Sequence, residues 1–326
     1  MKQYENISLK PRNTFGVDAK ARRLVLIEDG TDLNGGWRVD DSDWLVLGGG
    51  SNMLFTKDYD GTVVSLNHSG TQAIKQSGNT VSAWGGTVMD DLVQWTLDRG
   101  LYGLENLSAI PGTVGASAVQ NVGAYGAEAK DFVESVEAYD LVEGRHCTFG
   151  NSDCRFAYRD SFFKHHPNRY LILRVTYRLS QTYVPNLGYK ALEGLPHATA
   201  RQMRDSISAL RWSKLPRPEE HGSAGSFFKN PVVDGTDYRR LKEQHPDMPD
   251  AHPVGNSYKL SAGWLIDKAG WKGCTRGRVG VWPGNALVLY NAGGCTGSEV
   301  QALARAIQDD IGTKFGITLV PEALIV

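Results

Sequence analysis

The sequence predicts an α+β fold, because short strand-like runs and helices follow one another at uneven intervals instead of alternating regularly. The length of 326 residues suits about two domains. With 41% hydrophobic and 22% charged residues, the composition is that of a globular protein that can bury sizeable cores. No internal repeat or low-complexity tract interrupts this pattern.

Strands are predicted where apolar or alternating side chains run for a few residues, at 44–55, 62–66, 80–84, 132–141, 170–179 and 317–326. The first of these is a buried strand that leads through a glycine turn into a second apolar run. The last is interrupted by Pro321, which cannot donate to a ladder and therefore predicts an edge or bulged strand.

The first predicted helix covers residues 87–100. Its apolar side chains recur near helical spacing, and Gly100 provides the stop. Thr87 is the expected N-cap, with the acidic Asp90 three residues later.

Two more helices are predicted in the second half of the chain. The helix at 198–212 opens a new unit after a boundary near residues 180–200. The helix at 298–314 has the clearest apolar face, with Ser298 as the expected cap and Lys314 at its negative end.

Charge and cysteine use exclude several classes of function. Lys+Arg 35 against Asp+Glu 36 give a formal net charge of −1, so nothing indicates a nucleic-acid partner. No stretch approaches ~18 apolar residues and the polar segment 1–12 lacks a signal-peptide core, so we expect no membrane insertion and a cytoplasmic location. The four cysteines lack CxxC spacing and nearby histidines, which predicts free thiols and no metal site.

A glycine triplet followed by two polar residues and a methionine forms the first candidate ligand loop, with candidate cofactor contacts at Gly48, Gly49, Gly50, Ser51, Asn52 and Met53. Backbone N–H groups without Cβ obstruction make such a loop an anion-binding nest. It is not the GxGxxG dinucleotide fingerprint, because Met53 stands where the third glycine belongs. The alternative is a tight structural turn.

A second run of small and amide residues strengthens the ligand hypothesis. Its candidate contacts are Pro111, Gly112, Thr113, Gly115, Ala116, Ser117, Gln120, Asn121, Gly123, Ala124 and Tyr125. Glycines here permit close approach of a flat or extended ligand. No Walker lysine follows either loop, which disfavours nucleotide hydrolysis. Two such loops in one domain predict a long cofactor with a diphosphate and a ring.

A third loop, at 222–231, places Ser226 between glycines, two phenylalanines and a lysine. It is consistent with a catalytic loop in which small residues allow close approach and the aromatic rings exclude water. The alternative is a glycine-serine surface turn, although Phe227 and Phe228 argue against a solvated linker.

These loops and several other motifs resemble the UDP-N-acetylenolpyruvoylglucosamine reductase family almost end to end. The matching motifs lie at 13–16, 47–52, 103–106, 110–115, 120–121, 123–126, 158–161, 225–231, 262–267 and 321–322. The resemblance implies an FAD-binding fold of the vanillyl-alcohol-oxidase kind in residues 1–190, in two lobes split near 66. It also implies a smaller α+β substrate-binding domain in 191–326, whose C-terminal strand returns Glu322 to the active site.

The resemblance also implies a reaction and its partners. NADPH reduces non-covalently bound FAD, and the enolpyruvyl group of UDP-N-acetylglucosamine enolpyruvate is then reduced to give UDP-N-acetylmuramate for peptidoglycan synthesis. A monomer is expected.

Three residues match the family's catalytic set. Ser226 matches the proton donor, Arg159 can place its fork of donors on the substrate carboxylate, and Glu322 matches the acidic partner of the developing enol. Glu322 must carry or share a proton when it works, so we expect its pKa to be raised by partial burial and countered by Arg159. The alternative for Arg159 and Glu322 is a purely structural ion pair.

The family's substrate contacts map onto Tyr158, Tyr189, Lys214, Asn230, His252, Lys259 and Asn285. For Lys214 the alternative is a solvated lysine at a helix end, and Trp264, a weaker match, has a core position as its alternative. Three positions depart from the family pattern. Tyr189 follows Gly188 where Tyr-Gly is usual, His252 replaces a tyrosine and could stack on a base, and Asn285 replaces glutamine.

Two other functions share some of these features. An oxidase on the same scaffold would pass electrons from an alcohol or sugar to oxygen, but it would not need Ser226, Arg159 and Glu322 together. No histidine suits covalent flavin attachment at the first-domain loops, which weakens that option. A nucleotide-sugar binding protein without catalysis would not need the proton donor.

Overall fold

The structure, a computed structural model, describes residues 1–68 and 70–326. Its chain divides into two compact units. The first contains residues 1–7, 21–49 and 60–211, and the second contains 8–20, 50–59 and 212–326. The chain therefore passes between the units after residues 7, 20, 49, 59 and 211.

The strands described follow in chain order. They are β1 Lys2–Ser8, β2 Lys20–Ile27, β3 Trp44–Leu47, β4 Met53–Leu54, β5 Tyr59–Leu66, β6 Lys75–Ser77, β7 Thr80–Trp84, β8 Gly123–Ala124, β9 Ala127–Glu128, β10 Val133–Asp140, β11 Arg145–Gly150, β12 Tyr170–Arg178, β13 Ser223–Ser226, β14 Val232–Val233, β15 His252–Val254, β16 Ser257–Lys259, β17 Thr275–Arg276, β18 Val279–Val281, β19 Val288–Asn291 and β20 Leu324–Ile325. The α-helices are α1 Met89–Leu97, α2 Val114–Gln120, α3 Ala200–Trp212, α4 Gly235–Gln244, α5 Ala262–Lys268 and α6 Gly297–Phe315.

Two sheets form the framework of the first unit. One has the strand order β1-β2-β5-β3, with β3 and β5 parallel, and the other has the order β11-β10-β12-β7-β6, with its neighbours antiparallel. Apolar side chains from both sheets, including Val64, Trp84 and Tyr139, share one buried cluster. A second cluster joins the five-stranded sheet to α1 and α2. The start of α2 is thereby held between the sheet and the loops that precede it.

The second unit has two antiparallel sheets, one with the order β13-β19-β18-β17 and a smaller one with the order β14-β16-β15. The short strand β20 pairs in parallel with β4, so that Leu324 lies opposite Met53 and Ile325 opposite Leu54. Helix α6 buries Val300, Leu303, Ile307 and Ile311 along one face, as its helical spacing predicts.

Most predicted elements are present, and their boundaries follow hydrogen bonding. Strands β10 and β12 lie within 132–141 and 170–179, and α3 covers most of 198–212. The predicted strand at 317–326 is wrong for most of its length, because only β20 forms a strand and Pro321 makes an isolated bridge to Phe228.

Both predicted helix caps are displaced by two residues or fewer. The N-cap of α1 is Val88, while Thr87 is fully buried and its carbonyl accepts the N–H of Val114. The cap of α6 is Thr296, whose side chain forms a capping box with Glu299. Ser298 instead donates its hydroxyl to the Thr56 carbonyl. Tertiary contacts of Thr87 and Ser298 therefore override their local capping preference.

Three further observations concern membrane helices, metal ligands and cysteines. Over the residues that the structure describes, no helix has the length and apolar character that a membrane crossing needs. Within the same residues, no group of three or more His, Cys, Asp or Glu side chains is arranged to hold a metal ion. Cys147, Cys154, Cys274 and Cys295 are free thiols.

Candidate active site

The two glycine-rich loops predicted to bind a cofactor meet in the first unit. A Cβ on Gly49 would lie 3.1 Å from Gly112 Cα, and one on Gly48 would lie 3.1 Å from Ala116 Cβ and 3.2 Å from Thr113 Oγ1. Side chains at these positions would separate the loops. The resulting cradle of closely approaching backbone, half-buried at Gly48, Gly49 and Gly112, suits an extended anionic group such as a diphosphate, so these residues fit the cofactor that the sequence implies.

The first turn of α2 is already engaged with protein acceptors. Val114 N–H donates to Thr87 O at 2.9 Å, Gly115 N–H donates to Gly85 O at 2.9 Å, and Ala116 N–H reaches Thr113 Oγ1 at 3.4 Å. Ser117 is buried and donates its hydroxyl to Val114 O. These N–H groups therefore have protein acceptors already, and cofactor contacts through Gly115, Ala116 and Ser117, like those through the loops before α2, stay a prediction.

The second half of the first glycine loop belongs to the second unit. Gly50 has φ +62°, and a Cβ there would lie 2.1 Å from Arg12 O, so the loop needs glycine at this position. Asn52 donates its side-chain amide to Glu322 O at 3.3 Å and accepts from Leu324 N–H at 2.9 Å. Met53 is 9% exposed and belongs to the core. Asn52 therefore anchors the segment that carries Glu322.

Tyr125 occupies an unusual backbone conformation at the tip of the β8–β9 hairpin. Tyr125 has φ +50° and Gly126 has φ +86°, the pattern of a type I′ turn in which the first position is usually Asn, Asp or Gly. A tyrosine in the left-handed region costs on the order of 1–2 kcal/mol. Its ring packs edge-on against Tyr189, with centroids 5.2 Å apart. Strain held by its surroundings is typical of functional positions.

Arg159 is held in a comparable way. The turn around Tyr158 and Arg159 is closed by reciprocal hydrogen bonds between Ala157 and Asp160, 3.0 and 3.1 Å long. Arg159 has φ +54° at the second central position, where glycine or asparagine is favoured. Its guanidinium donates to Gly123 O, and a Cβ on Gly123 would lie 3.0 Å from Arg159 Nη1. The glycine therefore lets the arginine pack directly on the hairpin backbone.

Asn121 ties the hairpin and the turn together. Its side-chain amide donates to Ala157 O at 2.8 Å and to Glu128 Oε2 at 3.1 Å, and its carbonyl accepts from Lys130 N–H at 3.0 Å. It also ends α2 with φ +44°. The predicted cofactor contact at Asn121 thus has a structural function in the protein itself.

Lys164 is a residue that the sequence reasoning missed. Its ammonium group donates to Arg159 O at 2.8 Å and to Gln120 Oε1 at 2.7 Å. It therefore holds two predicted site residues in one place. A lysine three residues after the 158–161 motif carries no sequence signal that would have identified it.

In the second unit, Ser226 ends β13 opposite Val288. The strand contains an irregularity between Ser223 and Ser226, where Gly225 has φ +66°. Ser226 is half-buried. The loop is braced by Thr14, whose hydroxyl donates to Ser223 O at 2.6 Å and whose carbonyl accepts Ser223 N–H at 3.0 Å. Motif 13–16 therefore supports the serine loop.

Glu322 lies beside this loop through backbone pairing. Glu322 N–H donates to Phe227 O at 2.8 Å, and Lys229 N–H donates to Val320 O at 2.9 Å. Phe227 and Phe228 are fully buried, so they anchor the loop in the core. Ser226 and Glu322 are thus carried by paired segments of one unit.

The predicted substrate residues have different placements. His252 and Lys259 lie opposite each other in β15 and β16. Asn230 Oδ1 accepts Ala262 N–H at 3.0 Å at the start of α5, and Asn285 Oδ1 accepts Leu287 N–H at 3.1 Å. The remaining three are Tyr158, which is 59% exposed, Tyr189, which is 37% exposed, and Lys214, which is half-buried.

Trp264 is half-buried and packs against His245 and Phe315. Glu105, which is not among the predicted site residues, carries a buried carboxyl group and is only 4% exposed. Burial raises its pKa, although both of its oxygens accept the N–H of Gly103. The hydroxyl of Tyr183 is buried and has no hydrogen-bond partner among the described residues. Burial raises the pKa of Tyr183, and the nearby charge of Glu105 raises it further.

Comparison with known proteins identifies the type of domain that contains the two glycine-rich loops. A family model described as "FAD binding domain" matches residues 38–150, which include both glycine-rich loops. The chain is therefore a flavoprotein. A second family model, described as "UDP-N-acetylenolpyruvoylglucosamine reductase, C-terminal domain", matches residues 217–326.

Full-length relatives define the family. Proteins named UDP-N-acetylenolpyruvoylglucosamine reductase from Pseudomonas aeruginosa and Burkholderia ambifaria are 46% and 45% identical, cover 98% of this chain and are themselves covered to 97% and 95%. The crystal structure of the reductase from Thermus caldophilus matches with a TM-score of 0.71 at 24% identity, over 99% of this chain and 98% of that one. The chain belongs to the UDP-N-acetylenolpyruvoylglucosamine reductase family.

Proposed function

We propose that this chain reduces the enolpyruvyl group of UDP-N-acetylglucosamine enolpyruvate to UDP-N-acetylmuramate, with NADPH as the reductant, in peptidoglycan precursor synthesis. FAD, when bound, supplies hydride transfer between NADPH and the vinyl group. The observation that most supports this assignment is the pairing of the Ser226 and Glu322 segments, joined by the 2.8 Å bond from Glu322 N–H to Phe227 O.

The chemistry requires charge stabilisation and one proton. When hydride adds to the terminal carbon of the enolpyruvyl group, negative charge develops on the neighbouring carbon and its carboxylate. In the proposal, Arg159 binds that carboxylate and Glu322, in its protonated form, stabilises the enol. Ser226 then donates its hydroxyl proton to the carbon, which is basic enough to accept it when water is excluded.

Nucleotide-sugar contacts are assigned to the predicted substrate set. Lys214 faces the diphosphate, and Tyr189, Asn230 and Asn285 provide further contacts. The cross-strand pair of His252 and Lys259 presents an imidazole ring and an ammonium group on one small sheet, which supports a role in holding the uridine end. A cytoplasmic location and a monomeric state complete the proposal.

The flavin spectrum tests the function directly. Purified protein, saturated with FAD, should show a yellow flavin spectrum that NADPH bleaches under anaerobic conditions. Addition of the enolpyruvyl nucleotide should restore the colour and yield one UDP-N-acetylmuramate per flavin. Restoration by oxygen alone, with no effect of the nucleotide, would support an oxidase and overturn the proposal. Light scattering on the same sample tests the monomer.

A further inference from the structure

Arg211, in the last turn of α3, has a buried donor without an acceptor. Its Nε is fully buried and makes no hydrogen bond to any of the described residues, although the residue as a whole is half-exposed. The guanidinium lies close enough to the hydroxyl of Tyr125 for each group to shift the pKa of the other. A buried, unsatisfied donor costs roughly 1–3 kcal/mol, and more when it is charged. Such a group in a native protein calls for an explanation, and a missing ligand is one.

The charges around Arg211 indicate what is missing. Burial and the positive charge of Arg159 both lower the pKa of the Arg211 guanidinium. The carboxylate that acts on it belongs to Asp90, and this group is already engaged. Asp90 accepts two bonds from Arg204, 2.6 and 2.8 Å long, and one from Ala109 N–H at 2.6 Å. The positive charge of Arg159 therefore acts on Arg211, while the Asp90 carboxylate is bound by Arg204.

The residues that flank Arg211 are held rigidly in place. Tyr125 is fixed by the type I′ turn of its hairpin and by the ring of Tyr189. Arg159 is fixed by its closed turn and by its bond to Gly123 O. Preorganised donors of this kind lose little freedom when a ligand arrives.

We propose that Arg211 is a second carboxylate-binding residue, which joins Arg159 in holding the carboxylate of the enolpyruvyl or lactyl ether group. A guanidinium presents Nε–H and one Nη–H side by side, and this edge matches the two oxygens of a carboxylate. Because Nε is closed to solvent in the ligand-free protein, binding requires the Arg211 side chain to turn toward the carboxylate. The bound carboxylate would then satisfy the Nε–H and place negative charge between two positive groups. The identity of the ligand rests on the proposed function, whereas the anion preference comes from the arginines themselves.

The decisive experiment compares two nucleotides that differ in the carboxylate. Binding of UDP-N-acetylmuramate, which carries it, and UDP-N-acetylglucosamine, which lacks it, is measured by calorimetry on FAD-saturated protein. Arg211→Gln and Arg211→Lys should weaken the first ligand by roughly 10- to 100-fold, the scale of hydrogen bonds to a charged group, and leave the second within about twofold. Arg201→Gln is the matched control, since Arg201 lies on the same helix in an exposed pair with Asp98.

Equal weakening of both ligands, or no change in either, would overturn the proposal. Loss of FAD from the Arg211 variants would do the same, because it would assign the residue to the cofactor. A structural role would also lower the melting temperature of the ligand-free protein, whereas removal of an unsatisfied, repelled charge should leave that temperature unchanged or raise it.

Titration with a small carboxylic acid that lacks the nucleotide tests this inference independently of the proposed function. The side-chain Nε–H resonance of Arg211 is followed by NMR while 2-methoxypropionate, a lactyl ether carboxylate without nucleotide, is added, with 2-methoxypropanol as the uncharged control. A shift with the acid alone supports the anion site even if the wild type binds neither nucleotide, a result that would refute only the proposed function. No shift with either compound overturns the inference.

Discussion

The side-chain amide of Asn52 donates a hydrogen bond to the backbone carbonyl of Glu322, 270 residues later in the chain. One residue of a loop predicted to hold the cofactor thus fixes the position of a proposed catalytic acid. Asn52 also accepts the N–H of Leu324, which extends the β4–β20 pairing by one bond.

This bond predicts the effect of Asn52→Ala. Loss of the donor should destabilise the second unit by about 1 kcal/mol, the usual net value of one hydrogen bond. If Asn52 acts only on the Glu322 segment, the loss should be the same with and without FAD, as measured by urea unfolding. A loss seen only in the FAD-loaded protein would show that the amide serves the cofactor.

Ser226→Ala should separate the two half-reactions. Reduction of the flavin by NADPH should remain near normal, while reoxidation by the enolpyruvyl substrate should slow by at least ~10²-fold, the usual scale of lost acid catalysis. Stopped-flow absorbance measures both steps on one sample. Ser223→Ala, three residues earlier in β13, is the control, since the hydrogen bonds of Ser223 to Thr14 use only its backbone. Equal reoxidation rates in the wild type and Ser226→Ala would refute the proton-donor role.

Glu322 variants should rank by their ability to donate a hydrogen bond. Glu322→Gln keeps one donor toward the enol and should lose less activity than Glu322→Ala. Both changes leave the backbone bond from residue 322 to Phe227 O in place, so the pairing of the two segments should survive. Steady-state rates at saturating substrate give the order. The reverse order would mean that the negative charge of Glu322, rather than its hydrogen bond, is required.

The left-handed backbone of Arg159 predicts an unusual order of stability. Arg159→Gly should be more stable than Arg159→Ala by about 1 kcal/mol, because only glycine adopts φ +54° without steric cost. Both variants should be inactive. Thermal unfolding measures the difference, and the control is Arg145, an exposed residue of β11, where glycine should be the less stable substitution. An alanine variant as stable as glycine at 159 would contradict the strain.

The buried Glu105 predicts a pH-dependent difference. Because burial raises its folded pKa above the ordinary value, the folded state favours the protonated form. Its contribution to stability is therefore present below the unfolded pKa and is lost as pH rises through the folded one. Glu105→Gln should resist urea better than the wild type at pH 8, and the gap should narrow at pH 5. Glu137→Gln, at an exposed carboxylate, is the control. A gap that widens toward acid pH would contradict the direction of the shift.

The sequence predicts helices and strands well where the spacing of buried side chains determines them. The spacing of Val300, Ile307 and Ile311 predicts α6 because a buried stripe requires it. The caps were wrong because Thr87 and Ser298 make distant contacts that local sequence does not encode. The shortness of β20 is also set by a distant contact, because its partner β4 is only two residues long.

The site was predictable in its residue types but not in its geometry. Motif resemblance locates Tyr125 and Arg159, yet nothing in their propensities indicates that both adopt positive φ. Arg211 had one overlooked signal. It lies four residues after the buried Ile207 and so continues the apolar stripe of α3, where a charged side chain is out of place.

The repeated passage of the chain between the two units constrains how the protein can be made. The second unit uses residues 50–59 and also the C-terminal residues that pair with them. At roughly 5–20 residues per second, synthesis separates β4 from β20 by on the order of tens of seconds. The nascent chain therefore carries β4 without its sheet partner until β20 has been synthesised. A chain that terminates before Leu324 would lack β20 and with it the parallel partner of β4.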